Sequence, residues 1–226
     1  MIRKGVKIML KNKLGITDSH ELRRVEEKMT KEKAVQLYEK GIIDKLPAGT
    51  FESLRKIHEY LFSDLYDMAG KIRDVNISKG NFRFASVLYL SDAIKQVERM
   101  PQNTFDEIVK KYVEMNVVHP FREGNGRTMR LWLDAILKKE LKYCIDWSKV
   151  SKEDYLLAME RSPVKDLELN ALLKNALTDK INDRQIYMKG VDMSYYYEGY
   201  DVYQAESFSK QSMKVIKKNL DWDMEM

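Results

Sequence analysis

The chain has 226 residues, 44% of them hydrophobic and 33% charged, with a formal net charge of +5; that suits one sizeable core and at most two small domains. So mild an excess of positive charge, interleaved with acids, allows an anionic ligand but argues against direct nucleic-acid binding. No apolar run approaches the roughly 20 residues of a membrane span, and the single cysteine, Cys144, can form no internal disulfide, which predicts a reducing, cytoplasmic setting.

Residues 1–13, "MIRKGVKIMLKNK", carry five basic residues and no acid. They lack a continuous apolar stretch and a small-residue cleavage site, so an exposed basic lead-in is predicted rather than a targeting segment. Asp18 or Ser19 can cap a first helix with Leu22, Val25 and Met29 on one face, and Thr30 a second that ends at Gly41. Thr50 opens a third, with Phe51, Leu54, Ile57, His58 and Leu61 at helical spacing. "VNISKGNFRFA", Val75 to Ala85, has two extended runs around Lys79-Gly80-Asn81 and reads as a β-hairpin. Ser91 starts a short helix through Val97. "TFDE", Thr104 to Glu107, is a capping box opening a helix to about Val118. A further helix begins within "GNGR" and buries Leu131, Trp132, Ala135 and Ile136. Ser151 and Asp154 mark another capping box, Ser162 with Pro163 a later N-terminus, and "DMSYYYEG" a last helical stretch closed by Gly199. The predicted fold is mostly α with one β-hairpin.

Between two of these helices lies "HPFREGNGRTMR", His119 to Arg130. Gly124-Asn125-Gly126 lets the backbone turn tightly, and the following helix offers unpaired N–H groups and its positive dipole end, a site suited to phosphate. Arg127 and Arg130, three apart, share a helix face and can grip further phosphate oxygens. Glu123 is a hard oxygen ligand beside that cradle, which suits Mg²⁺. His119 titrates nearest neutrality and can take a proton from a nucleophile. Phe121 points the other way and anchors the loop. The chain has no Walker-type loop, no kinase motif set and no zinc pattern. These parts suit phosphoryl or nucleotidyl transfer.

"HPFREGNGRTMR" resembles the Fic family motif, H-x-F-x-[D/E]-G-N-G-R-x-x-R, without departure. "NKLGITD" looks like the family's lead-in, and "IHEYLFSDLYDMAGKIR" like the helix before its hairpin, with Met68 where the family often has an aromatic residue. "VNISKGNFRFA" looks like the hairpin flap over the active site, and "YLLAMERSPVKDLEL" like helices behind the nucleotide pocket. The resemblance implies a Fic-type helical bundle at 14–190 that moves AMP from ATP to a Tyr, Ser or Thr hydroxyl of a target protein. It makes His119 the base and Glu123 the Mg²⁺ ligand at the α- and β-phosphates. Asn125 and the N–H groups of Gly124 and Gly126 take the α-phosphate, Arg127 the β-phosphate and Arg130 the γ-phosphate. Lys79, Gly80, Asn81 and Phe82 of the flap pair with target backbone and close over the nucleotide. Toxin-like bacterial members commonly modify type II topoisomerase subunits, which offers such a subunit as a target.

Ser194 and Glu198 are one helical turn apart and can share a face. "SYYYEG", Ser194 to Gly199, resembles the family's inhibitory motif, [S/T]-x-x-x-E-[G/N]. That implies an inhibitory helix at 191–200, in the single-domain bacterial manner, setting Glu198 against Arg130 in place of the γ-phosphate; 201–226 would be a tail. Tyr195, Tyr196 and Tyr197 cannot all face one way, which predicts exposed aromatic surface, a homo-oligomer, and Tyr195 as an acceptor of self-modification. The alternatives are removal of AMP, another phosphate transfer (against which Gly126 argues) and a non-catalytic nucleotide-binding toxin–antitoxin module (against which His119 argues).

Overall fold

The structure, a computed structural model, describes residues 10–80 and 82–208. Asn81, most of the lead-in and the tail beyond 208 lie outside the described residues. The elements run α1 (Ser19–Glu39), α2 (Phe51–Phe62), β1 (Ser78–Lys79), β2 (Phe82–Arg83), α3 (Leu90–Glu98), α4 (Phe105–Val118), α5 (Asn125–Leu141), β3 (Cys144–Ile145), α6 (Lys152–Arg161), α7 (Leu167–Asn175), β4 (Leu177–Thr178) and α8 (Arg184–Tyr197). No helix among the described residues is long and apolar enough to cross a membrane.

α5 is the axis. Thr128, Met129, Leu131, Trp132, Leu133, Ile136 and Leu137 are all buried, and side chains buried around so much of a helix's circumference mean neighbours on several sides. α2, α4 and α8 supply them. Trp132 ties α5 to the start of α2 by donating its indole N–H to the Thr50 carbonyl at 3.0 Å and to Ser53 Oγ at 3.1 Å.

Most helix starts follow local chemistry. The Asp18 carboxylate accepts from the Glu21 N–H at 2.7 Å, Thr50 Oγ1 from the Ser53 N–H at 3.1 Å, and Ser151 Oγ from the Asp154 N–H at 3.3 Å. Thr104 and Glu107 form the expected reciprocal box.

Three expectations are corrected. Thr30 caps nothing: α1 runs straight through it, its hydroxyl donating back to the Glu26 carbonyl at 2.7 Å, the in-helix alternative open to threonine. Ser162 ends α6, its N–H bonded to the Ala158 carbonyl at 2.9 Å, so Pro163 follows a helix end, where a missing N–H does no harm, and α7 starts at Leu167. The hairpin β1–β2 exists, with Lys79 opposite Phe82, but β3 and β4 form a second antiparallel ladder, two residues a side and too short to leave a period.

The capping box at Thr104 sets the start of the helix that delivers His119. Thr104→Ala is expected to cost about 1 kcal/mol, read as an earlier midpoint in urea with an unchanged slope.

Candidate active site

α4 ends at His119, whose backbone is left-handed (φ 49°) while its N–H still bonds the Met115 carbonyl. The turn after it is stapled from several sides. Arg73, buried, donates from Nε to the His119 carbonyl at 2.8 Å and from its two terminal nitrogens to the carbonyls of Val75, Ala85 and Val118. One guanidinium thus joins the base of the flap to the end of α4. Phe121 is fully buried against His58, ring centroids 3.9 Å apart. His58 accepts the Gly70 N–H at Nδ1 (2.9 Å), so Nε2 donates to the Glu123 carbonyl at 2.9 Å. Asn125 closes the loop on itself: its side chain accepts from the Phe121 N–H at 2.9 Å and donates to the Phe121 carbonyl at 2.8 Å. One amide N–H is therefore committed to the loop; the second, with the backbone N–H, is left for an anion. Gly124 is left-handed (φ 76°), and a Cβ there would fall 2.4 Å from the Phe62 ring; both facts require glycine.

The first turn of α5 is met by a carboxylate. Glu198, at the end of α8, sets Oε1 2.7 Å from Arg130 Nη2 and Oε2 2.9 Å from Arg127 Nε. A Cβ on Gly126 would lie 2.4 Å from that Oε1, so the carboxylate rests directly on the glycine. Ser194 completes the clamp, Oγ accepting from Arg130 Nε and its carbonyl from Nη2, both at 2.7 Å. Burial alone would raise the Glu198 carboxyl; Arg127 and Arg130 outweigh it and hold the pKa below its ordinary value. Arg127 is 1% exposed, and Glu26 of α1 meets its Nη2 at 2.8 Å. These oxygens sit at contact distance but off the N–H axes, so none of the three nitrogens of Arg127 has an aligned acceptor.

His119 Nδ1 lies 3.2 Å from the Asn116 carbonyl, and its ring stacks on Phe84 at 3.7 Å. Phe84 in turn meets Phe82 edge-on at 5.2 Å, so the flap reaches the histidine through two rings. Gly80 forms the flap's turn with φ 57°, and Lys79 is exposed beside it. Glu123 is partly exposed at the mouth, one oxygen taking the Gly124 N–H at 3.1 Å. Its hard oxygens fit a magnesium ion. Among the described residues no three His, Cys, Asp or Glu side chains gather closely enough to hold a metal by themselves.

The sequence expectations thus converge in space: His119, Glu123, Gly124, Gly126, Arg127, Arg130, Ser194 and Glu198 share one site. Gly199 follows in a left-handed conformation (φ 81°). Tyr195 does not suit self-modification in this conformation, because it is buried with its hydroxyl donating to Thr30 Oγ1 at 2.8 Å. Tyr197 is buried too; Tyr196, 43% exposed, is the outward ring. The aromatic surplus that suggested an oligomer shrinks to that one side chain. Sequence reading did not single out Arg73 or Glu26, and it placed His58 only on an apolar stripe; each acts on a partner distant in the chain.

Burial pushes both His58 and His119 down to about 4 from an ordinary 6.5. The folded state keeps them neutral where the unfolded chain binds protons, so their contribution is complete above pH 6.5 and is lost as the pH falls towards 4. Urea midpoints are expected to drop across that window, and His58→Gln to make the fall shallower by about one proton per molecule.

A sequence model of the Fic/DOC family matches residues 49–137, the stretch from the start of α2 into α5. The protein adenylyltransferase VbhT of Bartonella schoenbuchensis is 33% identical over 187 residues, covering 77% of this chain, which spans 38% of that longer relative. The Sinorhizobium fredii protein y4lH, named a probable protein adenylyltransferase, is 30% identical over 171 residues, covering 70% of this chain and 85% of its own. Among solved structures, the BepC effector of Bartonella tribocorum, crystallised with AMPPNP, superposes with a TM-score of 0.61 at 20% identity, covering 77% of this chain and 94% of its own. Motif, helical fold and relatives agree, and the chain belongs to the Fic/DOC family.

Proposed function

We propose that this chain transfers AMP from ATP to a Tyr, Ser or Thr hydroxyl of a target protein, and that Glu198 holds the activity off. The adenylyltransferase names of the relatives support the reaction class. The observation that carries the reading is the Glu198 carboxylate, lodged between Arg127 and Arg130 over Gly126. A carboxylate bound there, at a helix N-terminus between two guanidinium groups, marks the chemistry that binds phosphate.

In the reaction the target's hydroxyl gives its proton to His119, held neutral by its low pKa. The oxygen forms a bond to the α-phosphorus as the bond to the α–β bridging oxygen breaks, and diphosphate leaves. Burial above all, then Arg73 and Lys79, lowers the histidine's pKa, and Glu198 acts against them; the negative charge of a bound triphosphate acts in Glu198's direction and brings the base nearer its working range. Glu123 would hold magnesium, which neutralises charge on the phosphates. The N–H groups at the start of α5 hold the α-phosphate, Arg127 the β-phosphate and Arg130 the γ-phosphate. With Glu198 on both arginines, the β- and γ-phosphates cannot reach the in-line arrangement that transfer needs. The flap, Lys79 to Phe82, pairs with target backbone. By family likeness, a type II topoisomerase subunit is the target to test first.

ATP labelled at the α-phosphate, incubated with such a subunit, is the direct test. Glu198→Gly is expected to raise protein-bound label on the order of tenfold or more, the gain from restoring two charge-assisted contacts. Arg130→Ala in that background is expected to return it to the wild-type level. His119→Ala in the same background is expected to lose ~10²–10⁴-fold while staying folded. Transfer of label from the γ-position instead would overturn the reading.

A further inference from the structure

The charge balance around Arg127 has a second member besides Glu198. We propose that Glu26 on α1 is a positioning residue that keeps the Arg127 guanidinium aimed at the nucleotide's β-phosphate; this rests on the adenylyl-transfer reading above.

Glu26 is 4% exposed and Arg127 1%. The Glu26 carboxylate meets Arg127 Nη2 at 2.8 Å, and it is itself fixed by two hydroxyls: Tyr200 donates to Oε1 at 2.8 Å and Tyr66 to Oε2. Burial would raise this carboxyl, but Arg127 and the two tyrosines bring its pKa below the ordinary value, so it is ionised at neutral pH. The guanidinium lies over the rings of Phe62, Tyr195 and Tyr200 at 4.9, 5.4 and 4.9 Å, which leaves its in-plane edges for polar partners.

Glu198 must leave this guanidinium when a triphosphate arrives. Glu123 stands 3.7 Å from Nη2, and its oxygens are wanted by a metal. Glu26 is then the carboxylate that remains to balance a cation buried in the protein, where an unpaired charge is strongly disfavoured. At 2.8 Å from Nη2, though off its N–H axes, it anchors that side of the group by charge. Nη1, which no carboxylate meets among the described residues, and Nε, once Glu198 moves off, are left for phosphate oxygens. Glu26 touches no reacting atom; it acts through Arg127.

A buried pair of this kind could instead serve only the packing of α1, and nucleotide selectivity separates the two roles. In the Glu198→Gly protein with magnesium, titration calorimetry is expected to show Glu26→Gln weakening ADP roughly tenfold, the loss of one charge-assisted support, with AMP, which lacks a β-phosphate, bound as by the parent. Equal loss for both nucleotides, or ADP bound as tightly as by the parent, overturns the proposal. If Glu26→Gln does not fold, Tyr66→Phe, which removes one hydroxyl from Glu26, decides by the same comparison. No ADP binding by the Glu198→Gly parent would overturn both readings. ADP binding without any transfer would sink the proposed reaction alone, since the calorimetric comparison needs no turnover.

Discussion

Two arginine side chains are buried beside the positive end of one helix, and the site is organised by the need to balance them. Arg127 and Arg130 are 1% and 4% exposed, and the N-terminus of α5 adds its dipole to the same side. A buried charge without a counter-ion costs several kcal/mol, so negatively charged oxygen has to be present. Glu26 and Glu198 supply it. Exchange of one carboxylate for phosphate oxygens preserves the balance; simple departure of the carboxylate does not. On the proposed function, nucleotide binding and movement of Glu198 are therefore two sides of one substitution.

The rest of the fold holds that arrangement rigid. Arg73 joins flap and α4 through carbonyls alone, and His58 fixes the motif loop through the Glu123 carbonyl. α8 is held along its length: Tyr197 donates to the Val150 carbonyl at 2.9 Å, Tyr195 to Thr30, and Asp192 pairs with the buried Lys31 at 3.1 Å. Beyond its end, Glu27 accepts the N–H groups of Val202 and Tyr203, and Arg23 donates to the Gly199 carbonyl. The body of α8 is thus bound by buried rings and paired charges, whereas Glu198 stands at its terminus, where a side chain can turn without unfolding a helix.

What the sequence made legible was short-range. The nine residues from His119 to Arg127 hold the proposed base, the proposed metal ligand, the glycine turn and the first arginine together by covalent connection alone, and the caps at Asp18, Thr50, Thr104 and Ser151 are decided within a turn. What it hid was long-range. Glu26 looks like any acid in "RRVEEKMTKEK", and only contact with Arg127, Tyr66 and Tyr200 from three other segments buries it. Arg73 is one more cation in a charged chain until four carbonyls converge on it. Thr30 and Ser162 failed for the same reason. Both have the right chemistry for a cap, but the helical turn before each claims them, through the Thr30 hydroxyl and the Ser162 N–H.

The absence of a side chain at Gly126 ties the proposed inhibition to the proposed phosphate site. A Cβ there would lie 2.4 Å from Glu198 Oε1 and 3.0 Å from Arg130 Nη1, closer than real Cβ atoms approach an oxygen. A side chain would therefore push the carboxylate aside, and it would crowd the same helix turn where a phosphate is proposed to sit. Ser194 differs, because it touches Arg130 from α8 and not from the floor of the anion site. Its hydroxyl fixes the arginine in the pose that receives Glu198, and a nucleotide phosphate approaching over Gly126 has no need of it. On the proposed reading, Ser194 and Glu198 are thus separable from the phosphate site by their position on α8, while the glycine beneath them is not.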